Sequence, residues 1–69
     1  MDTKQLYYAV QVAEYHSISK AADALYLSQP TLSGHISRLE SQLGCKIFDR
    51  NAIPLKLTYE GELFMNYAL

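Results

Sequence analysis

The sequence predicts a mainly α domain: a three-helix core, then a small two-stranded hairpin, then the start of a fourth helix. Three observations predict it. Apolar residues recur at helical spacing in three segments before Gly44. After Gly44 the period shortens, and turn residues separate two short apolar runs. Helical spacing returns after Thr58.

The first helix runs over Thr3–Tyr15. Leu6, Ala9, Val10 and Ala13 fall at i, i+3, i+4 and i+7 and make one apolar face, and Asp2 or Thr3 can cap its start. The second helix is short. Ser17 and Ser19 are its cap candidates, and Ala21, Ala22 and Leu25 share one side, where two methyl side chains let another helix approach closely. Tyr26, Leu27 and Ser28 form a brief connection. In the third helix Leu32, Ile36, Leu39 and Leu43 make a stripe at i, i+4, i+7 and i+11. Ser28 is its N-cap, Pro30 lies in its first turn, where a missing N–H costs nothing, and Gly44 is its C-terminal glycine.

Residues 45–48 and 55–57 then read as the strands of a hairpin, with residues 49–54 as the turn between them. Thr58 caps a last helix through Leu63, Phe64, Tyr67 and Ala68, with Gly61 weakening its first turn slightly. No C-cap signal precedes Leu69, so a longer, truncated helix is expected there. A short helix, a tight turn, a longer helix with a polar outer face and a following hairpin make a winged helix-turn-helix.

Composition bounds the function. A chain of 69 residues is one small domain, and such a domain buries only ~60% of its unfolded surface. One cysteine allows no internal disulfide, no Cys/His set has zinc-finger spacing, and no metal or cofactor is expected. Stability must come from the apolar half of the chain or from a partner. The lone cysteine suits a reducing compartment, and no apolar stretch approaches the ~20 residues of a membrane span, so a cytoplasmic protein is expected. Net charge is −1, yet between His16 and Thr58 the five bases Lys20, Arg38, Lys46, Arg50 and Lys56 outnumber the acids Asp23, Glu40 and Asp49. No set of nucleophile, base and orienting group stands out, and enzyme activity is not expected.

The third helix carries the functional expectation. With its apolar stripe inward, Pro30, Gly34, Ser37, Arg38 and Ser41 point outward, flanked by Thr31 and Ser33. The face is small and polar, as a helix entering a major groove requires. Ser and Thr can donate to phosphates or base edges, Gln29 can pair with adenine, and Arg38 can pair with guanine. First-turn N–H groups near Gln29 and Thr31 can hold a phosphate. Arg50 and Lys56, at either end of the hairpin loop, are set to touch flanking phosphates.

The stretch from Ala21-Ala22-Asp23-Ala24-Leu25 through Ser28-Gln29-Pro30-Thr31-Leu32-Ser33, followed by Ile36 and Arg38-Leu39-Glu40, resembles the helix-turn-helix of the LysR family of transcriptional regulators. Leu43-Gly44, Ile47-Phe48-Asp49-Arg50, Leu57-Thr58 and Gly61-Glu62 resemble its wing and the start of its linker helix. The resemblance implies a winged helix-turn-helix DNA-binding domain over residues 1–58 and the start of a dimerising linker helix over residues 59–69. The effector domain, with its small-molecule inducer, would lie outside this chain. The resemblance also implies dimers of dimers on interrupted inverted repeats in promoter DNA. Ser28, Gln29, Pro30, Thr31, Ser33 and Arg38 match recognition-helix positions, and Arg50 matches a wing arginine. Three positions depart from the pattern: Gly34 and Ser37 stand where basic residues are frequent, and His35 where Gln is common.

Tyr59, Leu63 and Tyr67 share one face of the last helix with Phe64 nearby, and this face is expected either to meet a second copy or to pack on the first helix. Cys45 is expected to be buried by the hairpin. His35, near the reading face, can contact a phosphate or a base; it and His16 do not suggest a metal pair. A rival reading remains: a protein-interaction module whose last helix docks on a partner, with DNA incidental. Salt dependence separates the two.

Overall fold

Asp2 starts the first helix, as one of the two expected caps. Its carboxylate accepts from the Gln5 N–H at 2.8 Å, while the Gln5 side chain accepts from the Asp2 N–H, a reciprocal cap that opens α1 (Thr3–Tyr15). The computed structural model describes residues 2–68, though not the Ala68 side chain. Ala68 as an apolar helix position and Leu69, the last residue of the expected linker segment, therefore lie outside the described side chains and residues respectively.

Ser17, not Ser19, caps α2 (Ile18–Ala24), accepting from the Lys20 N–H at 3.1 Å. The chain then turns through Tyr26, which adopts a left-handed φ of 58°, and the Leu27 N–H closes the turn on the Ala22 carbonyl. Ser28 caps α3 (Gln29–Leu43), Pro30 sits in its first turn, and Gly44 ends it at φ 77°, a left-handed conformation that glycine adopts without the steric cost of a Cβ. Two strands of two residues follow, β1 (Phe48–Asp49) and β2 (Lys56–Leu57), paired antiparallel with Phe48 opposite Leu57 and Asp49 opposite Lys56. The Thr58 hydroxyl accepts from the Gly61 N–H at 2.9 Å and opens α4 (Tyr59–Ala68). The result is the mainly α winged helix-turn-helix that the periodicity predicts.

The core lies where α1, α2 and α3 meet and is closed below by Ile47, Phe48 and Met65. Ala21 and Ala22 are both buried, so α2 approaches its neighbours closely as expected.

Several expectations are corrected. On α1 the buried set is Gln5, Ala9 and Val12, while Leu6, Val10 and Ala13 are half-buried. The helix is rotated from the expected face because Gln5 satisfies its polar end in the cap and can bury its stem. On α3, Leu43 is exposed and Glu40 takes the inward place after Leu39. The strands are shorter than expected. The N–H groups of Ile47 and Phe48 go to the Glu40 carboxylate, and the Leu55 N–H goes to the His16 carbonyl, so neither flank needs a ladder partner. Asp49, expected in the turn, pairs in β1. Cys45 is half-buried and precedes the strand. Gly61 does more than weaken a helix turn: a Cβ there would run into the Ile47 backbone carbonyl, so only glycine lets α4 lie this close.

Candidate nucleic-acid interface

The outward face of α3 is as the periodicity sets it. Gln29, Pro30, Thr31, Ser37, Arg38 and Ser41 are exposed, and Ser33, Gly34 and His35 are half-buried along its edges. Not all of these groups are free to act. The Ser28 hydroxyl accepts from the Thr31 N–H at 3.2 Å and donates to the Thr31 hydroxyl at 2.8 Å. The cap thus occupies Ser28 and the Thr31 N–H, and the expectation that this N–H holds a phosphate is corrected.

The wing is tied to this face by one buried acid. Glu40 is 4% exposed. Its Oε2 accepts from the Ile47 N–H at 2.8 Å and the Phe48 N–H at 3.3 Å. Its Oε1 lies 3.5 Å from Nη2 of Arg50 and has no hydrogen-bond partner. Arg50 in turn donates through Nη1 to the Ser33 hydroxyl at 3.0 Å. One carboxylate therefore sets where the wing begins and aims its arginine at Ser33 in the N-terminal half of α3. Sequence reasoning assigned Glu40 no role. The available signal was its position, four residues after Ile36 and on the inward side of the stripe, where an acid must find partners to be buried.

Two shallow clefts flank α3. One, between its middle and the wing, gathers Ser37, Lys46, Asp49, Arg50 and Lys56. The other, at its start, gathers Lys20, Gln29, Arg50 and the wing-tip residues Ile53 and Pro54. The structure thus brings Ser37, Arg50 and Lys56 together, and Gln29 with Arg50. It adds Lys20 and Lys46, which sequence reasoning counted as charge without assigning them to the site. On the far side, Tyr59, Leu63 and Tyr67 of α4 are exposed, whereas Phe64 turns inward against the core and Met65 is buried. The expected dimer face therefore loses Phe64.

A polar, nearly bulk-free helix standing proud of a three-helix core, with cationic clefts on both flanks and a wing beside it, defines the winged helix-turn-helix class. Residues 3–62 match the family described as bacterial regulatory helix-turn-helix protein, lysR family, and the chain belongs to that family. It is 44% identical over all 69 residues to the HTH-type transcriptional regulator CitR of Bacillus subtilis, covering 24% of that protein. It is likewise 44% identical to the HTH-type transcriptional regulator BenM of Acinetobacter baylyi, covering 23% of it. The chain thus spans about a quarter of the length of these curated relatives, which are named as regulators and not as enzymes. Among solved structures, the complex of BenM DBD with catB site 1 DNA has a TM-score of 0.94 at 44% identity, covering 99% of this chain and 73% of that one. The CbnR DBD–DNA complex has a TM-score of 0.91 at 34% identity, covering 99% and 78%. No helix among the described residues is long and apolar enough to cross a membrane.

Proposed function

We propose that this domain binds promoter DNA in a sequence-specific manner, with α3 in the major groove and the wing on the backbone, and so controls transcription. The observation that carries the reading is the linkage of the two DNA-facing parts. Arg50 of the wing is held to Ser33 on α3 by the buried Glu40, so helix and wing present one surface of fixed shape. Gln29, Pro30, Thr31, Ser33, Gly34, His35, Ser37 and Arg38 form the reading surface, with Ser28 as its cap. Arg50, Lys56, Lys20 and Lys46 supply phosphate contacts, which position, while the helix face specifies.

Residues 1–58 act as the DNA-binding unit, and α4 begins a dimerising helix whose Tyr59, Leu63 and Tyr67 meet a second copy. A homodimer, or a higher assembly, then spans two half-sites. Acting on bacterial promoters, the protein works in the cytoplasm, and a small-molecule inducer would bind a separate effector domain.

The test is fluorescence anisotropy on a labelled duplex carrying an interrupted inverted repeat, beside a scrambled duplex, across a salt series. Tighter binding to the repeat is expected, with a log–log salt slope of roughly −3 to −4 for about four neutralised phosphates. Salt-independent binding, or none at low salt by the folded domain, would instead favour a protein-docking role.

A further inference from the structure

Arg38 does not extend straight out from α3. Its guanidinium folds back one turn, and Nη2 lies 3.4 Å from Nδ1 of His35. Nη1 and Nη2 lie 3.6 and 4.0 Å from the point where a Cβ would stand on Gly34. Long helical side chains lean toward the N-terminal turn, and Gly34 leaves that space open. Arginine can only donate, so Nδ1 is the acceptor and carries no proton in this arrangement. The imidazole is itself held. Tyr8 of α1 meets it edge-on, with centroids 4.9 Å apart and planes at 61°. His35 thereby passes the packing of α1 on α3 to a guanidinium on the outward face.

We propose that His35 is a positioning residue that holds the Arg38 guanidinium over Gly34 to read the O6/N7 edge of a guanine in the major groove. The inference rests on the DNA reading proposed above and assigns one base contact within it. Pro30, Gly34 and Arg38 stand at i, i+4 and i+8 on one face, and the fold-back carries the charge from the C-terminal half of α3 to above Gly34 in its N-terminal half. The N-terminal residues of a recognition helix contact base edges, while the flanking phosphates fall to Lys20, Arg50 and Lys56 in the clefts on either side. His35 takes one of five guanidinium donors, which leaves a fork for the two acceptors of guanine. Among the described residues no carboxylate pairs with Arg38 to compete for it.

The experiment is in vitro selection from duplexes with a randomised core, followed by anisotropy on the enriched duplex and its single-base-pair variants. The wild-type domain is expected to enrich a guanine whose replacement weakens binding about 5- to 150-fold. Arg38→Ala should lose that one preference and keep the others. His35→Phe keeps a ring against Tyr8 but cannot accept, and should flatten the same position. His35→Gln keeps an acceptor and should preserve it. Thermal melts confirm that each variant is folded. A uniform loss across all duplexes in Arg38→Ala, with the salt slope shallower by about one, would put Arg38 on a phosphate and overturn the assignment. A His35→Phe domain with the wild-type guanine preference would overturn the positioning role. If the wild type enriches a site whose every position survives Arg38→Ala, only this assignment falls. If it enriches nothing, the DNA reading falls with it.

Discussion

At the scale of single residues, two helical glycines respond in opposite ways to the same added methyl. At Gly34 a Cβ would meet only the flexible end of Arg38 at ordinary contact distance. Gly34→Ala is therefore expected to stabilise the domain by up to ~1 kcal/mol, through reduced freedom of the unfolded chain. At Gly61 the Cβ would meet the backbone carbonyl of Ile47, which cannot swing aside. Gly61→Ala is expected to destabilise by about 2–3 kcal/mol despite better helix propensity, since α4 must move off the core. Urea denaturation of the two variants should shift the midpoint in opposite directions; equal shifts would mean that propensity alone governs both sites. Helix propensity by itself assigns any interior helical glycine the same penalty. The two glycines differ because Ile47 is fourteen positions from one of them in sequence and adjacent to it in space.

At the scale of elements, the wing hangs from α3 by one carboxylate. Glu40→Ala orphans the Ile47 and Phe48 N–H groups beneath the wing and leaves Arg50 without its acid, so a loss of about 3 kcal/mol is expected. Glu40→Gln keeps an acceptor for both N–H groups and loses only the attraction to a partly exposed arginine, which is worth about 1 kcal/mol at most. Denaturation of both variants apportions the role. If Gln costs as much as Ala, the ion pair rather than the pair of N–H bonds holds the wing. The strands are only two residues long because Glu40 and the His16 carbonyl satisfy the flanking backbone from outside the ladder. Alternation of apolar residues marks where strands can form, and it cannot show which donors are already taken.

At the scale of the whole molecule, Tyr59, Leu63 and Tyr67 leave one side of α4 exposed while Phe64 and Met65 bind the opposite side to the core. The face of Tyr59, Leu63 and Tyr67 therefore does not pack on the first helix; Phe64 and Met65 make that contact, and the outer face is left open to a second copy. In the full-length protein, Leu63→Glu is expected to raise the dimer dissociation constant at least ~10-fold, the ~1.4 kcal/mol of part of one buried leucine side chain. The melting temperature of the isolated domain should change little. Sedimentation equilibrium against a melt of the domain checks it, and an unchanged dissociation constant would remove α4 from the dimer interface.

What the sequence alone determined is local in origin. The helix ends at Ser28 and Gly44, the inward stripe of Leu32, Ile36 and Leu39, and the polar outer face of α3 all follow from residues within about four positions of one another. Their physics acts within one helical turn, so spacing is enough to read them. The tertiary structure decided what depends on partners far along the chain. It chose which side of α1 is buried, put Glu40 beneath the wing, drew Arg50 to Ser33, and set Tyr8 against His35 so that Arg38 folds back over Gly34. A buried charge or a half-buried ring has no preferred place until packing supplies its partner, and packing is a property of the folded chain.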